Sequence, residues 1–307
     1  MEVILAQPRG FCAGVVRAIE TVERSLELYG TPVFVFHEIV HNRHVVEDLE
    51  ARGVSFVENL DDVPVRTMII FSAHGVSATV VKQARRRNLR VIDGTCPLVN
   101  KVHRQAQKYS RQGMEIVLIG HPGHPEVEGT RGRIDGPVYV LSNISQVEDL
   151  QVVHSSRLAY ITQTTLSIDD TREVIDALKR RFPAIKGPNL SDICYATQHR
   201  QKAVHEMARE IEVLLVVGSR NSSNSNRLRE VGEQRGLPAY LIEDAEDINP
   251  NWLSGHQKIG ITAGASTPEK LVQGVLERLC NLGARSVREM EGRRETMRFR
   301  LPPIPSP

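Results

Sequence analysis

The sequence lacks the features that define several common classes of protein. It has no run of about eighteen apolar residues, so we expect no transmembrane segment and no membrane partner. Its 39 basic and 37 acidic residues leave a net charge of +2, which is too even for a nucleic-acid-binding surface. The first hydrophobic run follows Met1 almost directly, without the basic and apolar segments of a secretory signal. We therefore expect a cytoplasmic protein.

Cysteine is scarce and is not arranged in familiar pairs. The chain has four cysteines, which should stay reduced in a protein without an export signal. None belongs to a C-x₂-C pair of the kind that zinc fingers and ferredoxins use. The glycine-rich fingerprints of dinucleotide and P-loop sites are absent as well. Each cysteine is therefore either a packed apolar side chain or a metal ligand.

Short runs rich in Val and Ile alternate with helix-like stretches along most of the chain. The runs are mostly continuous in hydrophobicity, which is typical of strands buried on both faces of a parallel sheet. Strands that alternate with helices at this spacing predict the α/β fold class. The predicted strands lie at 3–6, 33–36, 68–71, 90–92, 116–119, 158–161, 213–217 and 258–261.

The chain also repeats itself three times. Cys12, Cys96 and Cys194 lie 84 and 98 residues apart, each between a strand-like segment and a predicted helix. At similar distances after each cysteine, two further strand ends are followed by a polar residue. These residues are His41 and His74 in the first repeat, His124 and Thr164 in the second, and Ser222 and Ser266 in the third.

The matching register predicts three similar small α/β domains with mainly parallel sheets, followed by a tail. Ligands bind at the carboxyl ends of the strands in open α/β sheets. A pseudo-threefold arrangement of three such sheets would therefore direct the thiols and the polar strand ends at one central site. The alternative is three unrelated domains whose polar strand ends are ordinary loops. The predicted ranges are 1–96, 97–192 and 193–283 for the repeats and 284–307 for the tail.

Three of the cysteines are candidates for metal ligands. Each opens a predicted helix, where free N–H groups and partial positive charge stabilise a thiolate. Three thiolates from three repeats leave one coordination position open, which suits a catalytic zinc or a four-iron cluster equally well. The alternative is that all three are buried apolar thiols. Cys280 has no counterpart in the other repeats, and we expect it to be part of the core.

The strand-end loops are dense in small hydroxyl, amide and imidazole side chains. Such groups, together with helix N-terminal N–H groups, form an anion-binding site without lysine, so we expect a phosphate or diphosphate ligand. Glu126 lies two residues from His124 in these loops. A desolvated carboxyl beside a diphosphate would have a raised pKa, which suits a proton donor. Alternatively, Glu126 only complements the dipole of its helix.

The sequence from His37 to His41 matches the H-E-x-x-H pattern of zinc peptidases. That mechanism needs a helix, so that both imidazoles share one face. Because the pattern directly follows the predicted strand at 33–36, we interpret it as a strand end and a turn.

Ten short stretches together identify a family that the sequence resembles. They are PRGFCAGV (8–15), HNR (41–43), FSAHGVS (71–77), TCPLV (95–99), HPEVEGT (124–130), QTTLS (163–167), DICYAT (192–197), VGS (217–219), NSSNSNR (221–227) and TAGAS (262–266). With these the chain resembles the 4-hydroxy-3-methylbut-2-enyl diphosphate reductases, the last enzymes of the methylerythritol phosphate route to isoprenoids. The resemblance spans residues 1 to about 283. Val16 is a departure, since the family has an acidic residue there.

The resemblance implies an iron–sulfur enzyme of three α/β domains around one [4Fe–4S] cluster per chain. Cys12, Cys96 and Cys194 would hold this cluster and leave its apical iron free to meet the hydroxyl oxygen of the substrate. Thr164 would lie near that oxygen, and Glu126, linked through His124, would supply protons. The residues implied to bind the substrate are His41, His74, His124, Thr164, Ser222, Ser223, Asn224 and Ser266.

The implied reaction is a reductive dehydroxylation. Two electrons and two protons remove the hydroxyl group of the allylic diphosphate as water and yield isopentenyl and dimethylallyl diphosphates. An external donor such as ferredoxin or flavodoxin, with its reductase, would supply the electrons. Two other functions remain open from the residues alone: a zinc-dependent hydrolase of a phosphorylated metabolite, and a non-catalytic sensor or carrier of a cluster.

Overall fold

The structure is a computed structural model that describes residues 1–188 and 192–305. Strands and helices alternate along the chain. The strands are β1 (Glu2–Leu5), β2 (Val33–Phe36), β3 (Val54–Val57), β4 (Met68–Phe71), β5 (Arg90–Asp93), β6 (Glu115–Ile119), β7 (Val138–Leu141), β8 (Leu158–Thr162), β9 (Val213–Val217), β10 (Ala239–Ile242), β11 (Lys258–Ala263) and β12 (Ser286–Glu289). The helices are α1 (Ala13–Tyr29), α2 (Arg43–Ala51), α3 (Ala78–Arg86), α4 (Pro97–Arg111), α5 (Pro125–Arg131), α6 (Ser145–Asp149), α7 (Ile168–Arg181), α8 (Tyr195–Met207), α9 (Ser223–Gln234) and α10 (Glu269–Asn281).

The chain divides into two compact units, which are described separately. Unit 1 contains one five-stranded sheet, and unit 2 contains a four-stranded and a three-stranded sheet. Unit 1 comprises Met1–Val15, His41–Val45 and Tyr195–Met297, and unit 2 comprises Val16–Val40, Val46–Cys194 and Arg298–Pro307.

The sheet of unit 1 is parallel throughout and is covered on both faces. Its strand order is β10-β9-β11-β1-β12. Along β9, Leu214 packs with Met207 and Leu228 on one face. The next residue, Leu215, packs with Val275 of α10 on the other face. Because successive side chains of a strand point to opposite faces, the continuous apolar run of β9 is explained by burial on both sides.

Unit 2 contains two smaller parallel sheets. Their strand orders are β3-β2-β4-β5 and β7-β6-β8. A single parallel bridge from Ala159 to Lys186 extends the second sheet beyond β8. Helix α4 packs Val102 and Ala106 against this sheet, beside Ile116 of β6. The prediction of an α/β protein with three mainly parallel sheets is confirmed.

The sheets do not follow the order of the predicted repeats. Strand β1 pairs with β11, so it lies in the sheet of the third repeat although the predicted first range begins with it. Strand β5, by contrast, pairs with β4, which lies with it in the predicted range 1–96. Local patterns identify a strand but not its hydrogen-bond partner, which is chosen by tertiary packing. The domain ranges themselves stay a prediction.

The prediction that Cys280 belongs to the core is wrong, because its side chain is exposed. Helix α10 buries Val272, Val275 and Leu279 along its central stripe, while Leu276 lies at the stripe's margin. Cys280 follows Leu279 by about 100° around the helix and therefore faces away from the stripe.

The range predicted as a tail contributes a strand. β12 pairs in parallel with β1, and Met290 N–H continues the pairing by donating to the carbonyl of Leu5 at 2.9 Å. None of the helices in residues 1–188 and 192–305 is long and apolar enough to cross a membrane.

Candidate active site

The loops that contain the three cysteines are built alike. In each, the backbone N–H of the cysteine donates a 3.0 Å hydrogen bond to a carbonyl two residues beyond the end of a strand. The strands are β11, β4 and β8. The donor and acceptor pairs are Cys12 with Ala265, Cys96 with Ala73 and Cys194 with Thr164. The register predicted from the spacing of polar residues therefore has a structural counterpart in the backbone.

Each of these cysteines directly precedes a helix. Cys96 is the N-cap of α4 with Pro97 in the first turn, and Cys12 and Cys194 precede the first residues of α1 and α8. All three are reduced cysteines of intermediate exposure. Partial exposure leaves the sulfur accessible, and the helix N-terminus beside it offers backbone N–H groups as donors. The chemistry of this donor set fits an iron–sulfur cluster.

Within the described parts of each unit, these thiols do not belong to a site for a single metal ion. No three His, Cys, Asp or Glu side chains of either unit, within residues 1–188 and 192–305, form a group that could hold a single metal ion. The assignment of a cluster to the cysteines therefore depends on their matching backbone environments and on family membership.

Glu126 and Thr164 form a buried pair in unit 2. One carboxylate oxygen accepts from the backbone N–H of Thr164 at 2.7 Å, and the other accepts from its hydroxyl at 2.9 Å. Burial raises the pKa of Glu126 to about 7, although both hydrogen bonds from Thr164 oppose that rise. The carboxyl therefore exchanges a proton near neutral pH, as a proton donor must. Thr164 also accepts the N–H of Cys194, so the pair adjoins a cysteine loop.

His124 joins this network through the backbone. It is the N-cap of α5, and its Nδ1 accepts from the N–H of Glu126 at 3.1 Å. That hydrogen bond leaves Nε2 as the protonated nitrogen of a neutral ring. The ring of His74 packs edge-on against it, with the centroids 5.9 Å apart. The link between His124 and Glu126 thus fixes the start of the helix that places the carboxyl.

Gly75 allows the His74 loop to pack closely. Its φ of 76° lies in the left-handed region that favours glycine. A Cβ at this position would lie 2.5 Å from Cε1 of His103, a buried residue of α4. Burial lowers the pKa of His103 to about 3, so this ring supports the loop as a neutral group.

Asp192 is a buried carboxylate that the sequence analysis did not single out. Its Oδ1 lies 3.8 Å from Nζ of Lys101, and its Oδ2 has no hydrogen-bond partner among the described residues. Burial raises the pKa of Asp192, and the charge of Lys101 opposes the rise. The negative charge of Asp192 also contributes to the raised pKa of Glu126. Its position two residues before Cys194 was the signal available in the sequence.

The strand-end loops of unit 1 bring together hydroxyl and amide groups. Ser222 is the N-cap of α9 and accepts from the N–H of Ser225. Ser266 donates to the carbonyl of His41 at 2.8 Å. The side chain of Asn224 is buried, and neither its oxygen nor its nitrogen has a hydrogen-bond partner among the described residues. A buried amide without partners costs free energy unless a ligand satisfies it, so Asn224 marks a polar binding site.

The predicted residues therefore fall into two groups. In unit 1, the structure brings Cys12, His41, Ser222, Asn224 and Ser266 to the carboxyl ends of one sheet, with Ser223 as the first residue of α9. In unit 2, hydrogen bonds and a ring contact connect His74, His124, Glu126, Thr164 and Cys194, and the Cys96 N–H donates to Ala73, which precedes His74.

The H-E-x-x-H pattern lies outside any helix. It follows β2 and ends before α2 begins at Arg43. His37 has a φ of 60°, and its Nδ1 lies 2.6 Å from a carboxylate oxygen of Glu58. The interpretation of this pattern as a strand end and a turn is confirmed.

These features define an α/β protein with thiols at helix N-termini, a buried carboxyl of raised pKa and strand-end loops rich in hydroxyl and amide groups. A family model described as LytB protein matches residues 3–280. The chain belongs to the LytB family, which confirms the resemblance noted in the sequence.

Named relatives extend over nearly the whole chain. The 4-hydroxy-3-methylbut-2-enyl diphosphate reductase of Ectopseudomonas mendocina (strain ymp) is 58% identical over 306 residues, which cover 98% of each chain. The protein of the same name from Ralstonia nicotianae is 57% identical over 301 residues, which cover 98% of this chain and 93% of that one.

A solved structure is also similar. It is the E-1-hydroxy-2-methyl-but-2-enyl-4-diphosphate reductase from Plasmodium falciparum, with a TM-score of 0.94 and 38% sequence identity. The match covers 98% of this chain and 95% of that one.

Proposed function

We propose that this chain is an oxidoreductase that converts 4-hydroxy-3-methylbut-2-enyl diphosphate into isopentenyl and dimethylallyl diphosphates. The carbon–oxygen bond of the allylic alcohol breaks, and two electrons enter the substrate. One proton completes the departing water, and the second forms a new carbon–hydrogen bond. The observation that carries the proposal is the buried Glu126–Thr164 pair, whose carboxyl has a pKa near 7 and which adjoins the Cys194 loop.

Thr164 and Glu126 have complementary parts in the proton transfer. The hydroxyl of Thr164 donates to Glu126 while that carboxyl is ionised. Once Glu126 is protonated, its O–H can donate to the Thr164 oxygen instead, and the Thr164 hydroxyl can then donate to the substrate oxygen. A carboxyl that is protonated near pH 7 can then supply the proton through this contact. His124 fixes the N-terminus of the helix that places the carboxyl.

The diphosphate is expected to bind to the hydroxyl, amide and imidazole groups of both units. In unit 1, Asn224 offers a buried amide without partners, and Ser222 and Ser223 lie at the N-terminus of α9. Helix N-termini favour anions because of their free N–H groups and dipole. The remaining residues in this proposal are His41, His74, His124 and Ser266.

We assign a [4Fe–4S] cluster, one per chain, to Cys12, Cys96 and Cys194. The three cysteines share the same backbone hydrogen bond to a strand-end carbonyl, which supports a common role. When bound, such a cluster supplies the two electrons and a Lewis-acidic iron that assists loss of the hydroxyl group. The electrons would come from an external donor such as ferredoxin or flavodoxin with its reductase.

Anaerobic purification followed by turnover tests this proposal against its alternatives. We expect about four irons per chain, the number that a single cluster of this type contains. We also expect conversion of the allylic diphosphate to the two products in the presence of a strong one-electron reductant. Stoichiometric zinc without iron would support a hydrolase instead. A full cluster without two-electron turnover would support a sensor or carrier.

A further inference from the structure

The predicted tail runs alongside the segment that leads to Cys12, entirely within unit 1. Strand β12 pairs with β1, and Met290 N–H donates to Leu5. Two residues further on, a Cβ on Gly292 would lie 2.1 Å from the carbonyl oxygen of Gln7, so the two backbones are in close contact. The tail therefore follows the first strand and its loop towards the cysteine.

Further along the tail, Glu295 forms a largely buried ion pair with Arg200. Arg200 of α8 has no exposed surface, and its guanidinium donates to both carboxylate oxygens of Glu295 at 3.1 Å. Nδ1 of His199 lies 3.0 Å from the same carboxylate. Breaking a buried pair by removing one partner is strongly destabilising, because an uncompensated charge remains. Glu295 therefore fixes the position of the Arg200 guanidinium.

Arg200 in turn holds the loop before Cys12. It donates to the carbonyl of Gly10 at 2.7 and 3.2 Å, and a 3.5 Å contact reaches the carbonyl of Phe11. These carbonyls directly precede the cysteine. The Cys12 N–H, which shares a peptide unit with the Phe11 carbonyl, donates to the carbonyl of Ala265.

Basic residues also contact the loops of the other two cysteines, inside unit 2. Arg17, five residues after Cys12, donates to the carbonyls of Gly94 and Thr95, which directly precede Cys96. Lys101, five residues after Cys96, lies 3.8 Å from Asp192, two residues before Cys194. A basic residue in the second turn of each of these helices thus contacts a loop that precedes a cysteine. Arg200 and Arg17 do so through backbone carbonyls, and Lys101 through the carboxylate of Asp192. This recurrence indicates that the contacts serve the cysteines rather than the general stability of the fold.

We propose that Arg200 and Glu295 are positioning residues for Cys12 Sγ, which makes the C-terminal tail part of the scaffold of the metal site. The inference rests on the proposed role of Cys12 as a cluster ligand. Glu295 lies outside the stretch that the family model matches, residues 3–280. Loss of the carboxylate should release the Gly10–Cys12 loop while leaving the loops of Cys96 and Cys194 unchanged.

The test is site-resolved thiol labelling of a Glu295→Gln variant. The anaerobically reconstituted protein is stripped of iron with a chelator in the presence of a maleimide, and mass spectrometry follows each cysteine. The exposed Cys280 serves as an internal standard for the labelling reaction. We expect the labelling of Cys12 relative to Cys280 to rise about tenfold, because charged hydrogen bonds that close the loop are lost. Cys96 and Cys194 should stay within about twofold of the unchanged protein, as expected for sites away from the substitution.

Two further variants make the result specific. Glu291→Gln makes the same chemical change at an exposed position of the tail and should leave all three rates unchanged. Gly292→Ala keeps the ion-pair residues but displaces the tail from Gln7, and it should also expose Cys12 selectively. This variant tests the proposal even if Glu295→Gln does not fold. An equal rise at all three cysteines, or no rise at Cys12, would overturn the proposal.

The same samples separate this inference from the proposed function. The iron content of the unchanged protein reports on the cluster, independently of any labelling ratio. If the unchanged protein holds no iron, the cluster assignment fails, and labelling of the iron-free chain still reports whether Glu295 protects Cys12. If iron is present and labelling is not selective, only the positioning role fails.

Discussion

The two units carry different chemistry on cysteine loops of the same construction. In unit 2, the loop that accepts the Cys194 N–H contains Thr164, which holds a carboxyl with a pKa near 7. In unit 1, the loop that accepts the Cys12 N–H leads to Ser266, and the nearby groups on α9 are hydroxyls and an amide. One backbone arrangement thus lies beside a titratable carboxyl in one unit and beside neutral hydroxyl and amide groups in the other. The difference between the two units lies in the side chains at the strand ends.

Replacing the proton donor of unit 2 should have the largest effect. In Glu126→Gln we expect turnover to fall by about 10²- to 10⁴-fold, because general acid catalysis is lost while the shape of the side chain is kept. Iron content and substrate affinity should be unchanged. Steady-state kinetics and iron analysis measure both.

The matched control is Glu128→Gln, on the exposed side of the same helix α5. It should leave turnover within about twofold of the original value, as for most surface substitutions. Turnover that is unaffected by Glu126→Gln would contradict the assignment of the proton donor.

Removing the buried amide of unit 1 should affect binding rather than chemistry. In Asn224→Ala we expect the affinity for the diphosphate to fall about tenfold, since a hydrogen-bonding group for an anion is lost. The Tm should stay constant or rise, because the buried amide has no partner among the described residues to lose. Calorimetric titration and thermal unfolding give the two values.

Asn249→Ala provides the opposite control. Its side chain caps a short helix by accepting from the N–H of Asn251, so its loss should lower the Tm and leave the affinity unchanged. A lower Tm in Asn224→Ala with unchanged affinity would mean that this amide is structural as well.

The pH dependence of turnover should follow the ionisation of Glu126 in unit 2. Burial raises the pKa of Glu126 to about 7, so the carboxyl is protonated below that pH and ionised above it. We expect turnover to decline by about tenfold per pH unit above pH 7 as the donor is lost.

The free energy of unfolding should also fall as the pH rises, but over a lower pH range than turnover. The folded protein holds this proton more tightly than the unfolded chain does, so the contribution of Glu126 to stability falls between its ordinary pKa and about pH 7. Both dependences should vanish in Glu126→Gln. A pH profile that is the same in the two proteins would assign the titration to another group.

The smallest effect is expected at Cys280. Cys280 is exposed on α10 and belongs to neither of the two groups of site residues. The Cys280→Ser variant should therefore keep its full iron content. Its Tm should change by no more than a few degrees, which corresponds to about 0.5 kcal/mol for a surface substitution. Loss of iron in this variant would mean that a fourth thiol takes part in cluster binding.

Elements with strong local patterns could be predicted from the sequence. The continuous apolar runs of β4 and β9 identify buried parallel strands, and the spacing of Cys12, Cys96 and Cys194 identifies the repeat. These features depend on periods of a few residues or on intervals that can be counted along the chain. The α/β class and the family could therefore be predicted.

Features that depend on distant partners could not be predicted in this way. All four residues of strand β12 are exposed and show no apolar pattern, so the strand is recognisable only by its pairing with β1. The ion pair of Arg200 and Glu295 joins residues 95 positions apart. The burial of Asp192 likewise depends on how elements pack. Each of these requires tertiary structure, which local periodicity does not encode.

The central claim is that three cysteines hold a four-iron cluster with one iron available to the substrate. Mössbauer spectroscopy of the anaerobically purified, ⁵⁷Fe-enriched protein tests it most directly. The account predicts one iron that differs from the other three and whose spectrum changes when the allylic diphosphate is added. Four irons that are equivalent and insensitive to the substrate, or a protein without iron, would contradict it.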